Sequence, residues 1–436
     1  MSAKQKGRLW LFSLALAMAT LLAACQAQLP GWLTPWRSAA NEEGIAPAGP
    51  ATPNDGGPPL RLMAPPGAAG ESSAFETALD QFQQAHPAVA LTLTLPADYD
   101  SALTSALAGG APPDIFVLDA TRALALAAAG ALAPLGSAFE QPDDLPPLLW
   151  TSFGLDGQLV CAPREMRTLA LVYNRDRFDA AALAYPDAAW NWENLRSAAE
   201  ALTNAETATV GLALPPDFSR WLPFLYGAGG SVTDAAMTAM TINSAEAATA
   251  MDFYVQLVID GIAATPADLD TTWSGEALGK GKAAMAIEGN WVVPYLAESF
   301  PGAHFAAVEL PTGPQSRATL AFATCYAIAA QTTQLATARQ LVAYLVAEEQ
   351  MAVLTASAGA MPTRISLLEP WRQAHPEGEA FVSGLAYARM WNFGPRFNPL
   401  ITTVNNGLGQ AFLSVRAVSD ILAEADGVGN GILTRP

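Results

Sequence analysis

The sequence predicts an α/β protein built from two lobes. Short apolar runs that suit buried strands alternate along the chain with stretches of helical spacing. About 375 residues follow Pro59, which is more than one ordinary hydrophobic core accommodates and is natural for two. Because 51% of all residues are hydrophobic, enough apolar side chains are present to fill both cores. The short joints between strands and helices predict right-handed crossovers and a mostly parallel sheet.

Residues 1–24 are predicted to be an export signal. Lys4, Lys6 and Arg8 precede an apolar run from Leu9 to Ala24. At 1.5 Å per residue this run is about 24 Å long, which is too short to span a hydrocarbon core of ~30 Å comfortably. The pattern is therefore typical of a secretory signal peptide. Its end, Leu22-Ala23-Ala24-Cys25, resembles the lipobox of bacterial lipoproteins, in which the cysteine carries a diacylglycerol. The alternative is a plain signal peptide with an incidental cysteine.

Residues 25–59 are predicted to be a tether. The segment is rich in Pro, Gly, Ala and polar residues and shows no periodicity of a helix or strand. Such a composition buries too little apolar surface to offset the entropy of ordering. The sequence thus places the folded body outside the cytoplasm, anchored to the membrane by a lipid on Cys25.

The folded body begins with alternating strands and helices. Residues 60–64 suit a buried strand, and Phe75, Leu79 and Phe82 fall at helical spacing before His86-Pro87 ends the helix. Further strands are predicted at 89–95, 115–118, 169–173 and 283–287. Further helices are predicted at 103–108, 194–202, 245–259 and 275–282, and another follows the strand at 115–118 and ends at Gly130.

Charge and residue types argue against several functions. The formal net charge is -18, which disfavours binding to nucleic acid or to anionic lipid. The only histidines, His86, His304 and His375, are far apart and lack the spacing of a zinc site. No Gly-x-Ser-x-Gly elbow is present. We therefore expect no enzyme, metal or cofactor, although any acidic protein offers pairs of carboxylates of the kind that glycosidases use.

Two cysteines remain besides Cys25. Cys161 and Cys325 both lie in apolar, strand-like surroundings. A disulfide is permitted outside the cytoplasm, and a buried free thiol suits the same surroundings. The sequence leaves both alternatives open.

Blocks along the folded body resemble, in order, the signatures of one receptor family. The blocks are Gly110-x-x-Pro113-Asp114-Ile115, Ala129-Gly130-x-Leu132-x-Pro134-Leu135, Asp156-Gly157-Gln158, Tyr173-Asn174-Arg175-Asp176, Asn191-Trp192-Glu193-Asn194-Leu195, Gly279-Lys280-Gly281-Lys282, Gly289-Asn290-Trp291, Leu310-Pro311-Thr312-Gly313 and Gly359-Ala360-Met361-Pro362-Thr363-Arg364. They are similar to those of the family-1 extracellular solute-binding proteins, the maltose-binding-protein-like receptors of importers driven by ATP hydrolysis. The similarity covers nearly the whole body.

This resemblance implies a periplasmic-binding-protein-like fold of type II, with three crossings between the lobes near Pro163, Pro311 and Pro362. Lobe 1 would comprise residues 60–165 and 306–350, and lobe 2 residues 166–305 and 351–436. A monomer of this kind holds its ligand in the cleft between the lobes and delivers it to the permease subunits of an importer. A carbohydrate is the expected ligand. The alternatives are an anionic solute, such as a sugar acid or glycerol phosphate, and service as the ligand-binding subunit of a sensor.

The resemblance also suggests aromatic and acidic ligand contacts. Trp291 stands where the family's Gly-x-Trp tryptophan stacks on a sugar ring, an arrangement that suits the C–H face of a pyranose. Asp119 follows the strand at 115–118 and either binds ligand hydroxyls or caps the next helix. Trp221 and Tyr226 precede Gly229-Gly230, where they either contact ligand or pack within the lobe.

Five further positions are candidates for the cleft. Arg167 and Arg364 could clamp a carboxylate or phosphate, or they are surface arginines. Thr324 could supply a hydroxyl from a strand, 322–328, that departs from the family pattern. Glu71 is either a cleft residue or a charge at a helix N-terminus. Trp391 belongs either to the cleft or to the core.

Overall fold

The computed structural model describes residues 58–67, 69–139 and 141–434. The predicted signal peptide, Cys25 and the tether up to residue 57 lie outside these described residues. Within them, every helix is too short or too polar to cross a membrane.

Twelve strands and sixteen α-helices form the described part of the chain. The strands are β1 Leu60–Met63, β2 Leu91–Thr94, β3 Ile115–Asp119, β4 Gly154–Leu155, β5 Gln158–Leu159, β6 Ala162–Asn174, β7 Val210–Ala213, β8 Ala263–Ala264, β9 Ala283–Gly289, β10 Phe305–Val308, β11 Thr319–Ile328 and β12 Ala388–Met390. The helices are α1 Ala69–Ala85, α2 Tyr99–Ala108, α3 Ala120–Ala128, α4 Pro147–Phe153, α5 Arg175–Ala180, α6 Trp192–Leu202, α7 Phe218–Gly227, α8 Ala245–Ile259, α9 Ser274–Gly279, α10 Val292–Ser299, α11 Leu335–Leu345, α12 Glu348–Ser357, α13 Ile365–Ala374, α14 Glu379–Gly384, α15 Asn398–Phe412 and α16 Val418–Leu433.

The described strands form one ten-stranded mixed sheet, while β4 and β5 form a separate two-stranded sheet. The strand order of the larger sheet is β2-β1-β3-β11-β6-β9-β7-β8, with β10 added to β6 and β12 added to β11. The outer strands pair in parallel, as expected of β-α-β units. However, β11 and β6 run antiparallel to their neighbours β3 and β9 and to each other. The prediction of a mostly parallel sheet was therefore too simple, because antiparallel pairs fill the middle of the sheet, where β6 carries the chain from one lobe to the other.

The strand β6 connects the two halves of the sheet. Residues up to Thr168 pair with β11, whereas residues from Leu169 onward pair with β9. The strand β10 also pairs with the second half of β6. The first lobe of the sheet thus consists of β1–β3, β11 and the start of β6, and the second consists of the end of β6 with β7–β10.

Large apolar side chains fill each lobe. Phe82, Phe116 and Tyr326 are fully buried among the first strands and helices. Phe218 and Tyr254 are fully buried in a second cluster that α7, α8, α15 and α16 share. The two clusters do not follow the lobes throughout, because the first one also includes Leu278, Ala283 and Val292 of the second lobe.

The last crossing lies later than expected. Helices α13 and α14 contribute Trp371 and Phe381 to the first core, and Arg364 bonds to the carbonyl of Val346 in the same lobe. Phe393 and Phe397 belong to the second core. Because β12 pairs with β11 of the first lobe and Met361 pairs with Met166 near the start of β6, we propose a boundary just after β12 in place of the expected one at 351. The changes of strand pairing likewise favour boundaries near 168 and between β10 and β11.

A disulfide joins β11 to the residue that precedes β6. Cys161, which precedes β6, is bonded to Cys325 of β11, with their Cα atoms 5.7 Å apart. Both residues are fully buried. The structure thus resolves the alternatives that the sequence left open for these cysteines.

Candidate ligand-binding cleft

A β-bulge in β6 shapes the first wall of the site. Glu165 pairs with Thr324 of β11, whereas Cys325 pairs with Pro163, so that Arg164 is an extra residue in the ladder. A bulge of this kind interrupts the alternation of side chains and redirects one of them. Because of the bulge, the consecutive side chains of Arg164 and Glu165 belong to the same group of charges instead of pointing to opposite faces of the sheet.

This group is the arginine–glutamate cluster, formed by Glu71, Arg164, Glu165 and Arg167. Arg164 lies 2.9 Å from the Glu71 carboxylate, and Arg167 lies 3.2 Å from that of Glu165. Burial acts to raise the pKa of Glu165, but the charges of Arg164 and Arg167 outweigh it and hold that pKa below its ordinary value. The cluster is therefore ionised and internally paired at neutral pH.

A second ionic network lies in the other lobe. The helix α7 begins after its cap Asp217, and Arg220 in its first turn lies 2.7 Å from the carboxylate of Glu288 in β9. Glu288 is only 2% exposed. Burial raises the pKa of Glu288 despite the opposing charge of Arg220. Glu288 also accepts a hydrogen bond of 3.2 Å from the indole nitrogen of Trp291.

Between these networks lies the aromatic patch, formed by Trp291, Phe322 and Trp391. The ring centroid of Phe322 is 6.0 Å from those of both tryptophans. All three side chains are partly exposed. The ring of Trp291 lies directly over Gly289, where a Cβ atom would be 2.0 Å from it. A glycine at this position is therefore needed for the observed ring orientation.

Strand register connects the patch to the first network. Phe322 pairs with Arg167, and Thr324 pairs with Glu165 on one side and with Asp119 of β3 on the other. Directly paired residues in neighbouring strands present their side chains on the same face of a sheet. The arrangement thus combines partly exposed aromatic faces with carboxylate and guanidinium groups where the two lobes meet. It suits non-covalent binding of a ligand that has both apolar and hydrogen-bonding surfaces.

Comparison with known proteins identifies the family. The sequence profile of the bacterial extracellular solute-binding proteins matches residues 68–352. The chain belongs to this family.

Solved structures confirm the two-lobed fold of type II for this solute-binding protein. An ABC substrate-binding protein from Listeria monocytogenes, in complex with cycloalternan, is 23% identical with a TM-score of 0.77, covering 85% of this chain and 98% of that one. The GacH receptor of Streptomyces glaucescens, studied with acarbose, is 21% identical with a TM-score of 0.75, covering 85% and 97%. UgpB from Mycobacterium tuberculosis, in complex with glycerophosphocholine, is 19% identical with a TM-score of 0.74, covering 87% and 99%.

The structure brings six of the sequence candidates of this solute-binding protein together. They are Trp291, Trp391, Arg167, Thr324, Glu71 and Asp119. Asp119 also caps α3, because its carboxylate accepts a hydrogen bond of 2.9 Å from the backbone nitrogen of Arg122. Both interpretations of Asp119 thus remain compatible with its position.

Two candidates need correction. Trp221 has no exposed surface and packs against Phe218 inside the second core, because the helix that carries it is apolar on nearly every face. Arg364 is 6% exposed, and its guanidinium bonds to the carbonyl of Val346 and lies 3.4 Å from Asp144. Neither side chain is free to contact a ligand in the cleft.

Tyr226 lies apart from the aromatic patch. Its side chain is 6% exposed, and the guanidinium of Arg389 lies 4.4 Å from its ring centroid. It lines a different cavity, which is described below.

The sequence candidates did not include Arg164, Glu165, Arg220 or Glu288. Glu288 offered a signal, since it is the only acid in the otherwise apolar strand β9 and a buried acid requires a cation. Arg164 and Glu165 offered none, because their placement depends on a bulge set by residues about 160 positions away.

Proposed function

We propose that this solute-binding protein captures a neutral carbohydrate in the cleft between its lobes and delivers it to the permease of an ATP-driven importer. The observation that carries the proposal is the aromatic patch between two arginine–carboxylate networks. The protein acts as a receptor and performs no chemistry on its ligand. A lipid on Cys25 holds it at the outer side of the membrane, and the body works as a monomer.

The chemistry of the patch favours a sugar. An indole or phenyl face matches the C–H surface of a pyranose, and such stacking contributes about 1 kcal/mol beyond area burial. Carboxylate and guanidinium groups at the edges supply acceptors and donors for hydroxyl groups. The relatives from Listeria monocytogenes and Streptomyces glaucescens bind cycloalternan and acarbose, which supports the same ligand class.

The charge of the site favours a neutral ligand over an anion. Four carboxylates, of Glu71, Glu165, Asp217 and Glu288, surround three guanidinium groups. Each guanidinium already has a carboxylate partner, so an anionic ligand would have to compete with an ion pair inside the protein. The alternative of an anionic solute rests on Arg167, whose side chain is 21% exposed. The glycerophosphocholine bound by the relative from Mycobacterium tuberculosis is a zwitterion, so it supports a phosphate group in the ligand but not a net negative charge.

Closure of the lobes is the proposed mechanism of delivery. A ligand that touches both networks binds the closed arrangement better than the open one, and this difference in affinity shifts the population toward closure. The permease then recognises the closed form. Solution scattering should show a smaller radius of gyration with ligand than without it, and identical profiles at saturation would contradict the mechanism.

A thermal-shift screen tests the ligand class. The chain without its first 25 residues is melted with mono-, di- and oligosaccharides, sugar acids and glycerol phosphates. A true ligand at 100 times its dissociation constant adds about 2.7 kcal/mol of stability. We expect the response among neutral sugars and its loss in Trp291→Ala. A response confined to the acids and phosphates, with loss in Arg167→Ala, would replace the proposal with the anionic alternative. Reconstitution with permease or with a sensor kinase then distinguishes transport from sensing.

A further inference from the structure

A second cavity opens between the lobes beside the aromatic patch, since Phe393 in its lining contacts the ring of Trp391. It has a volume of about 370 Å³, within the range of small-molecule sites. One wall is the helix α4 of the first lobe, and the opposite wall is formed by Tyr226 and residues 231–237 of the second. The floor comes from residues 388–390, Asn392 and Phe393. Trp291, Phe322 and Arg167 are absent from its lining.

Polar groups without partners face this cavity. Among the described residues, the guanidinium of Arg389 has neither a carboxylate within ion-pair distance nor a hydrogen-bond acceptor, and it lies against the Tyr226 ring. The Tyr226 hydroxyl likewise makes no hydrogen bond in the described part of the chain, although the residue is only 6% exposed. Burial raises the pKa of Tyr226 to about 12, so that its hydroxyl stays protonated and can donate.

The acidic group in the lining, Asp234, is hydrogen-bonded and keeps its negative charge, because bonds from Thr238 and Ala239 hold its pKa below the ordinary value. Both carboxylate oxygens of Asp234 accept hydrogen bonds, from the backbone nitrogens of Thr238 and Ala239 and from the Thr238 hydroxyl. The ring face of Tyr226 holds the guanidinium of Arg389 in place, and a placed guanidinium binds planar carboxylates through two parallel bonds. Among the described lining residues, the groups without a protein partner are the guanidinium of Arg389, which is an exposed residue, the hydroxyls of Tyr226 and Thr233, and the Asn392 amide. Of these, Arg389 and Tyr226 lie against each other.

We propose that this cavity is a second binding site, for a small carboxylate. The carboxylate pairs with Arg389 and accepts a hydrogen bond from the Tyr226 hydroxyl. Because the walls belong to both lobes, an occupant binds one arrangement of the lobes better than another. It thereby changes the affinity of the main cleft, and by reciprocity the main ligand changes the affinity of the carboxylate. This coupling rests on the proposed function, whereas binding of the carboxylate does not.

Calorimetric titration of the sugar-free protein with L-malate tests the site directly. We expect saturable binding that Arg389→Gln weakens about 10- to 100-fold, as for loss of a charged hydrogen-bond partner. Tyr226→Phe, which removes only the hydroxyl, should weaken it less. The matched control is Arg396→Gln, because Arg396 lies over the Phe397 ring at 5.2 Å and is outside the cavity. Glycerol serves as the neutral comparison.

Three results would overturn the proposal. They are the absence of binding up to tens of millimolar malate, equal weakening by Arg396→Gln, and binding that Trp291→Ala removes while Arg389→Gln does not. The last would place malate in the main cleft. Failure of the sugar screen with malate binding intact would instead count against the proposed function alone.

Discussion

The indole nitrogen of Trp291 donates a hydrogen bond of 3.2 Å to the carboxylate of Glu288, a residue that is 2% exposed. The bond ties an edge of a partly exposed ring to a buried anchor, and Gly289 beneath the ring lets it lie flat. Glu288 is in turn held by Arg220. The ring orientation is therefore set before any ligand arrives, which limits the entropy lost on binding.

Replacing Trp291 with alanine should remove most of the sugar affinity. Loss of stacking and of the covered apolar area costs about 2–4 kcal/mol, which corresponds to roughly 30- to 1,000-fold in the dissociation constant. Because the ring is partly exposed, we expect the ligand-free melting temperature to change by only a few degrees. The control is Trp273→Ala, since Trp273 is also partly buried, lies over Gly275 and has its ring contact with Tyr295 instead of with a ring of the patch. Unchanged affinity with a large fall in melting temperature would remove Trp291 from the site.

Trp221 should behave in the opposite way. It is fully buried, and Trp221→Ala leaves a cavity that costs about 3–5 kcal/mol of the free energy of unfolding. Sugar affinity, measured at a temperature where the variant is folded, should stay close to that of the unchanged protein. Denaturant unfolding and calorimetry check the two expectations. A selective loss of affinity without loss of stability would show that the tryptophan contacts ligand.

The disulfide should contribute strongly to stability. Cys161 and Cys325 are separated by 164 positions, and a bond that closes so long a loop restricts the unfolded chain. We expect the free energy of unfolding of the double variant Cys161→Ala, Cys325→Ala to be about 2–5 kcal/mol lower than that of the unchanged protein. Urea denaturation of the oxidised protein and of the variant gives the difference. Coincident unfolding curves would contradict it.

Glu165 should make stability depend on acid pH. The pKa of Glu165 is held below its ordinary value of 4.5 in the folded protein, since the charges of Arg164 and Arg167 outweigh the effect of burial. The stability that ionised Glu165 contributes is therefore fully present above the pKa of the unfolded chain. It is lost as the pH falls through the lower pKa of the folded protein. We expect Glu165→Gln to lower stability at neutral pH and to converge with the unchanged protein in acid. The exposed Glu193→Gln is the control, and a constant difference at every pH would refute the assignment.

Cys25 should carry the lipid. Replacing it with alanine removes the only thiol of the Leu22-Ala23-Ala24-Cys25 motif, so the protein should no longer incorporate labelled fatty acid. It should also move from the membrane fraction to the soluble fraction. Continued labelling of the variant would end the lipoprotein hypothesis.

Local signals predicted the fold well, whereas the walls of the site depend on long-range pairing. The strands at 60–63 and 115–119 and the helix after Asp119 were predictable because hydrophobic periodicity and caps lie within a few residues of one another. The cluster around Arg164 was not, since a one-residue bulge decides which side chains face the cleft.

Trp221 shows the limit of reasoning from residue type. Trp221 and Trp291 are the same residue near similar glycine motifs, yet one is core and the other is partly exposed. The sequence did hold a signal, because the helix 218–227 is apolar on nearly every face and such a helix is buried. The sequence interpretation nevertheless proposed Trp221 as a ligand contact, because it relied on the position of this residue in a family motif.

The strand β6 has a consequence for any attempt to dissect the molecule. Its residues before and after the Thr168–Leu169 junction supply pairing partners to different lobes, so the backbone that links the lobes is itself part of both sheets. A fragment that ends at this junction would lack β11, so that β3 and the start of β6 would lose their common pairing partner. The unpaired edges left behind promote aggregation. The two lobes are therefore not independent domains joined by a linker. Reporters or new chain termini should be introduced in the peripheral loops.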